Sequence, residues 1–220
     1  VPRRRGGEEG VDRLLRGETV TFDGVHYRCR DAVLHPAPLQ QPRPPIWVAG
    51  TSLETYTYAG EKGFNVMASA GFTGPDVFKE KFALWEEAFV ARGGDTSNLP
   101  RALLHHLHVC EADEDVAARY EQVAEAEGWY LNYRANVNKV ELPGEEDSHL
   151  KRNWSYELDV RKIVDGGGVV GGSDKVVEEM RRLRDDYGVN DVLVGPWRGP
   201  NSKEVMRSLE LFAKEVMPAL

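Results

Sequence analysis

A turn of small and hydroxyl-bearing residues is the part of this sequence best suited to bind an anion. Gly50, Thr51 and Ser52 follow a short apolar run, and Thr55 lies one helical turn further along on the same side. Glycine lets a backbone approach a ligand closely, and the amides and hydroxyls at a helix N-terminus attract phosphate with the help of the helix dipole. Plain helix capping uses the same residue types. The sequence therefore predicts either a phosphate-binding turn or an ordinary N-cap at this position.

Three histidines, His105, His106 and His108, lie close together in one apolar segment. Side chains alternate along a strand, so His106 and His108 share one face and His105 takes the other. Two imidazoles on one face could bind zinc, but no third ligand stands at a suggestive spacing, and structural zinc takes four ligands. We expect no metal here. Packed or hydrogen-bonded histidines are one interpretation, and residues lining a ligand cavity are the other.

Buried strands and amphipathic helices alternate along the chain from residue 46 onward. Short continuous apolar runs predict four strands, at 46–49, 65–68, 102–110 and 191–194. One helix between them carries an apolar stripe formed by Phe78, Phe82, Trp85 and Phe89. This alternation predicts an α/β fold with a parallel sheet and right-handed crossovers. Four strands suit a doubly wound sheet as well as half of an eight-stranded barrel.

Two long stretches show no clear periodicity. Residues 10–45 are predicted to be mostly irregular, with a helical stub at 11–15, two short strands around an Asp-Gly turn within 20–27, and an extended proline-rich segment at 36–45. Residues 136–168 form the longest irregular stretch of the sequence. A long loop of this kind in a compact domain is usually functional or disordered.

The charge and composition exclude several classes of protein. A formal net charge of −8 argues against sequence-independent binding to nucleic acid, which needs a basic surface. No apolar run is long enough to span a bilayer, and the basic N-terminal residues have no apolar segment behind them that would make a secretory signal. Cys29 and Cys110 are far apart in sequence and are expected to be reduced thiols. We therefore expect a cytoplasmic protein.

Several motifs, in order along the chain, resemble the luciferase-like flavin monooxygenase family of bacterial luciferase type. They are FDGVHY at 22–27, PAPLQ at 36–40, PPIWVAGTS at 44–52 with Thr55 and Ala59 after it, VGGSDKV at 170–176 and LFAKEVMP at 211–218. The run at 44–52 is similar to the central motif of the family, and the others are similar to its flanking segments and its C-terminal signature. Thr51 departs from the pattern, because bacterial luciferases have a glutamate there.

The resemblance implies a fold and a cofactor. The family folds as a (β/α)8 TIM barrel, and this chain, 1–220, is expected to carry about the C-terminal four strand–helix units as one half of a single barrel domain. The strand-to-helix turn of the family holds the flavin phosphate. Carried across, Gly50 and Thr51 would contact it through the backbone, and Ser52 and Thr55 through their hydroxyls.

The resemblance also implies an activity and partners. Reduced FMN, supplied by a separate flavin reductase, would react with O2, and one oxygen atom would be inserted into a small organic substrate. Catalytic residues cannot be assigned, because they are expected in a first half that this chain lacks, so the chain alone is expected to be inactive. The family usually dimerises, so a homodimer is expected. Two alternatives stay open: a relative that uses the deazaflavin F420 for hydride transfer, and a non-catalytic flavin-binding subunit.

Two further hypotheses follow from the resemblance. Residues 136–168 correspond to a mobile lid in luciferases, which would close over the flavin and exclude water, with Lys151 and Arg152 as candidates to hold it closed. A plain solvated loop is the alternative. Trp197 follows the last predicted strand, where barrel enzymes build their sites, and either walls the cavity or is an exposed loop residue.

Overall fold

The chain forms two compact units, Val1–Val48 and Ala49–Leu220. The computed structural model describes residues 2–25, 27–50, 52–69, 76–137 and 159–220, with the backbone alone for 2–6, 76 and 134–137.

The first unit contains one helix and one antiparallel hairpin. Helix α1 spans Pro2–Leu15, and strands β1 (Val20–Asp23) and β2 (Arg28–Ala32) pair with Phe22 opposite Cys29. Antiparallel strands need only a short connection, which residues 24–27 provide. The hairpin predicted around the Asp-Gly turn is therefore present.

Two boundaries in this unit differ from the prediction. The stub expected at 11–15 is only the last part of α1, and the second hairpin strand begins at Arg28 rather than within 20–27. Proline suits the first turn of a helix and Arg and Glu are good helix formers, but the glycines among them obscure the pattern. The proline-rich segment at 36–45 contains neither helix nor strand, as predicted.

The parallel sheet is centred on its longest strand. Its members are β3 (Trp47–Ala49), β4 (Asn65–Ser69), β5 (Arg101–Val109), β6 (Gly168–Gly171) and β7 (Asp191–Pro196). The order is β3-β4-β5-β6, and β7 pairs with β5. Strands β4, β6 and β7 all run parallel to β5. Leu103 of β5 pairs with both β4 and β7, and Leu107 pairs with both β6 and β7. Strands β4 and β6 therefore share one edge of β5, and β7 occupies the other.

One strand of this sheet was missed by the sequence analysis. The four predicted strands are β3, β4, β5 and β7, whereas β6 lies where the glycines predicted the end of an irregular stretch and the start of a helix. Gly168 begins β6, and a Cβ there would lie 2.0 Å from the His106 carbonyl oxygen. The glycines that indicated a break are thus what allows two backbones to approach closely.

Both ends of the stretch expected to be irregular, 136–168, form regular structure. Helix α4 continues to Val137, helix α5 spans Val160–Gly167, and β6 follows at once. Asp159 caps α5, because its side chain accepts a hydrogen bond from the Lys162 amide. Residues 138–158, which include the proposed lid residues Lys151 and Arg152, lie outside the described part of the chain.

Among the described residues, six α-helices follow the strands of the sheet along the chain. They are α2 (Leu53–Lys62), α3 (Asp76–Ala91), α4 (Val116–Val137), α5, α6 (Ser173–Tyr187) and α7 (Ser202–Leu211). Helices α2 and α3 pack closely at Gly60, where a Cβ would lie 2.4 Å from the Trp85 carbonyl oxygen. Trp85 is buried and donates its indole N–H to the Phe64 carbonyl at 2.9 Å. The apolar stripe predicted for α3 is confirmed, since Phe78 and Phe82 are buried with it.

The described helices are all too short or too polar to cross a membrane. Strands alternate with helices along the second unit except where α5 follows α4 among the described residues, and its paired strands from β4 onward are parallel. The α/β prediction is therefore confirmed, with the described strands forming an open sheet.

Candidate functional site

The predicted anion-binding turn lies between β3 and α2. Ser52 is the N-cap of α2 and has extended backbone angles, with φ −88° and ψ 145°. Its hydroxyl lies 2.9 Å from the Thr55 hydroxyl, and the Thr55 amide donates to the Ser52 carbonyl at 3.0 Å. Gly50 packs directly against the Thr55 side chain, because a Cβ at position 50 would lie 2.5 Å from Thr55 Cγ2. The structure therefore brings Gly50, Ser52 and Thr55 together, and Thr51 lies outside the described residues.

The Ser52 hydroxyl does not act as an ordinary cap. Within the described residues, the Ser52 side chain makes no capping hydrogen bond to the backbone. It pairs instead with Thr55, at the N-terminus of a ten-residue helix, and is exposed to solvent. Two adjacent hydroxyls at the positive end of a helix dipole can both donate to a phosphate group. Of the two interpretations left open by the sequence, a plain cap by the Ser52 side chain is not observed in the described part of the chain, and the anion site stays a prediction.

The three histidines of β5 have different environments. His105 is buried, with Nε2 3.3 Å from Glu179 Oε1 of α6, which places it on the helix-covered face of the sheet. Although burial opposes ionisation, contacts with His105 and Arg182 lower the pKa of Glu179 to about 2. His105 is therefore a buried packing residue that lies beside a carboxylate.

His106 stacks on Trp197 at the carboxyl end of the sheet. The ring centroids are 4.8 Å apart with an interplanar angle of 29°. His106 Nδ1 lies 3.3 Å from the Pro196 carbonyl oxygen, and burial lowers the pKa of the ring. Trp197 itself is 4% exposed and donates its indole N–H to the Val169 carbonyl. Trp197 is thus a core residue, and the interpretation as an exposed loop aromatic was wrong.

His108 meets two residues that the sequence analysis did not connect with it. Glu114 Oε1 lies 3.5 Å from His108 Nε2, and the Cys110 thiol lies nearby. Burial lowers the pKa of His108 and raises the pKa of Cys110 to about 11. Burial also opposes ionisation of Glu114, but hydrogen bonds from Arg119 and the Glu111 amide hold its pKa below the ordinary value. Cys110 is a free, buried thiol, as expected.

A parallel α/β sheet with a turn of small and hydroxyl-bearing residues after a strand is typical of folds that carry their sites at the carboxyl ends of the strands. Comparison with protein families makes this specific. Residues 9–190 match the family described as luciferase-like monooxygenase, and the chain belongs to that family.

Curated relatives carry related names. Limonene 1,2-monooxygenase of Rhodococcus erythropolis is 27% identical over 231 residues, covering 99% of this chain and 55% of the relative. The oxygenase component of the flavin-dependent trigonelline monooxygenase of Acinetobacter baylyi is 25% identical, covering 95% of this chain and 57% of the relative. The chain thus spans little more than half the length of the curated relatives it matches.

Solved structures confirm the fold class. The monooxygenase RslO1 of Streptomyces bottropensis aligns with a TM-score of 0.75 at 19% identity, covering 97% of this chain and 60% of that one. An F420-dependent secondary alcohol dehydrogenase gives 0.67 at 22% identity, covering 94% of this chain and 58% of that one. The oxygenating constituent of 3,6-diketocamphane monooxygenase of Pseudomonas putida, in complex with FMN, gives 0.66 at 21% identity, covering 98% of this chain and 62% of that one. Similarity at this identity shows a shared fold.

Proposed function

We propose that this chain provides the flavin-phosphate site of a flavin-dependent monooxygenase that uses reduced FMN and O2 to insert one oxygen atom into a small organic substrate. Membership of the luciferase-like monooxygenase family supports this assignment. The relatives with the names quoted above are monooxygenases, and one of them is flavin-dependent. The observation that carries the proposal is the hydroxyl pair of Ser52 and Thr55 at the start of α2.

The turn has the properties that a phosphate monoester requires. Gly50 leaves room for Thr55 to lie against the backbone, so the two hydroxyls are held side by side without a capping role. Hydroxyls and helix N-terminal amides donate hydrogen bonds to phosphate oxygens, and the helix dipole favours their negative charge. Ser52 and Thr55 would hold the phosphate by their hydroxyls and Gly50 by close backbone approach. We propose Thr51 as a further backbone contact.

The protein and the flavin would have separate roles in the reaction. Bound reduced flavin supplies the electrons and the reactivity toward oxygen. The residues of this chain anchor and orient it through the phosphate, and the catalytic residues remain unassigned. The relative from Acinetobacter is named as an oxygenase component, which supports a separate reductase as the source of reduced flavin. Cytoplasmic location and a homodimer stay predictions.

A deazaflavin is the second candidate cofactor. F420-dependent and FMN-containing proteins both share this fold, so the fold does not choose between them. A non-catalytic flavin-binding subunit also stays open, and flavin that copurifies without turnover would favour it.

Equilibrium binding of three ligands tests the proposed cofactor. Riboflavin lacks the phosphate of FMN, and F420 carries a different ring. If the turn holds a phosphate monoester, the chain should bind FMN at least about tenfold more tightly than riboflavin, since charge-assisted hydrogen bonds contribute about 1.5–3 kcal/mol. Equal affinity for FMN and riboflavin would remove the proposed role of the turn. Tighter binding of F420 than of FMN would favour the deazaflavin enzyme.

A further inference from the structure

Three metal-binding side chains converge at the carboxyl end of β5. The ligand atoms of His108, Cys110 and Glu114 all lie within 4.8 Å of one another. His108 and Cys110 are two residues apart, and side chains with this spacing on extended chain project to the same side. Glu114 approaches from the turn before α4, with Oε1 3.5 Å from His108 Nε2. Nitrogen and oxygen ligands of a tetrahedral zinc ion are separated by about 3.4 Å, so this pair already has the required spacing.

We propose that His108, Cys110 and Glu114 bind a zinc-class divalent cation, with a fourth position left for solvent. The donor set decides the class of metal, because imidazole and thiolate favour Zn²⁺ or Co²⁺, whereas Mg²⁺ and Ca²⁺ take oxygen ligands. Three protein ligands with one open position are the pattern of sites that exchange a ligand. On binding, the S–H bond of Cys110 breaks and a sulfur–metal bond forms, and the thiol proton passes to solvent.

The surrounding charges are compatible with an added cation. Arg119 pairs with Glu114 through Nε, and its Nη2 pairs with Glu204 Oε1 at 2.8 Å. If Glu114 turns to a metal ion, Arg119 keeps the second carboxylate, so its charge is not left buried without a partner. The cavities beside the site are also lined by the cations Lys175, Lys203 and Arg207, and Arg207 pairs with Glu111 at 2.7 Å. Acidic side chains still outnumber basic ones in both linings.

The site can be reached from solvent along two sides. His108 and Glu114 line a cavity of about 440 Å³, and Cys110 and Glu114 line a second cavity of about 750 Å³. Glu114 borders both and keeps 19% of its side chain exposed, whereas His108 and Cys110 are buried. An ion could therefore enter beside the glutamate and meet two buried donors behind it.

Titration with Co²⁺ alone, followed by absorbance, tests the site in the intact 220-residue chain with a phosphine reductant present. Cobalt bound to a thiolate gives a charge-transfer band in the near ultraviolet, so the readout identifies the sulfur ligand without any assay of activity. The variants are Cys110→Ser, Glu114→Gln and, as a matched control, Cys29→Ser, which alters the other free thiol. Circular dichroism of each variant establishes that it folds.

The expected result is one equivalent of Co²⁺ with a charge-transfer band in the unmodified chain and in Cys29→Ser. The band should disappear in Cys110→Ser, and affinity should fall at least about tenfold in Glu114→Gln, since loss even of an outer-shell partner costs 10- to 100-fold. A missing band in the unmodified chain would overturn the proposal. Loss of the band in Cys29→Ser would also overturn it. If Cys110→Ser does not fold, the folded Glu114→Gln variant gives the test, and an unchanged Co²⁺ affinity in that variant would overturn the proposal.

Discussion

Replacement of Gly50 by alanine tests whether the proposed phosphate turn depends on close packing. The added Cβ would lie 2.5 Å from Thr55 Cγ2 and 3.0 Å from Thr55 Cβ. Carbon atoms in contact normally lie about 3.5–4.0 Å apart, so Thr55 or the turn must move. Overpacking of this kind costs about 1–3 kcal/mol. If that cost falls on the ligand-binding conformation, FMN affinity drops about five- to 150-fold.

A second substitution separates this steric effect from a general loss of structure. Thr55→Ser removes the methyl group nearest to the added Cβ and keeps the hydroxyl. The double variant Gly50→Ala/Thr55→Ser should therefore regain part of the affinity lost by Gly50→Ala, with a coupling of about 0.5–3 kcal/mol as expected for residues in contact. FMN titration and denaturant unfolding of the four proteins in the cycle measure both effects. The reasoning fails if Gly50→Ala binds FMN normally, or if the double variant is as impaired as the single one.

Two further predictions concern stability. Gly168→Ala should destabilise the fold by about 1–3 kcal/mol in urea unfolding, because the added Cβ would meet the His106 carbonyl. Gly10→Ala is the control and should be neutral or stabilising, because there is open space around Gly10. Equal effects of the two substitutions on stability would contradict the close approach of β5 and β6. The pKa of Glu179 is lowered to about 2 from 4.5, so its ionised form should contribute up to roughly 3 kcal/mol of stability above pH ~4.5, lost as pH falls toward 2. In acid unfolding, the Glu179→Gln variant should lose this pH dependence of stability, whereas Glu178→Gln, at an exposed position of the same helix, should keep it. Identical acid-unfolding profiles for the two variants would show that the neighbours of Glu179 do not stabilise its carboxylate.

Patterns confined to one element predicted much of this fold. The apolar run of β5 and the stripe of Phe78, Phe82 and Trp85 on α3 indicated their structures because burial imposes a fixed period on each element. Strand β6 was not predictable in this way. Gly168 shows why, because glycine is a breaking signal locally and becomes a requirement only when the partner strand is in place.

In the candidate sites too, the sequence predicts the features set by local spacing but not the contacts set by tertiary structure. The spacing of Ser52 and Thr55 indicated a common side of one helix, but only the structure shows that their hydroxyls pair with each other rather than cap the backbone. Likewise, His108 and Cys110 are two residues apart in the sequence, whereas the approach of Glu114 depends on how the chain turns into α4. Partners contributed by tertiary structure have no local signal, so the metal-binding set was not visible from spacing alone.

The central claim is that the turn at 50–55 binds the flavin phosphate, and an FMN titration followed by fluorescence tests it most directly. The unmodified chain is compared with the double variant Ser52→Ala/Thr55→Ala and with the control variant Thr57→Ala. The Thr57 hydroxyl lies on the same helix and, among the described residues, donates only to the Leu53 carbonyl. We predict saturable binding by the unmodified chain and by Thr57→Ala, and loss of binding in the double variant. FMN binding that the double variant retains at full affinity, or that the unmodified chain never shows, would contradict the account.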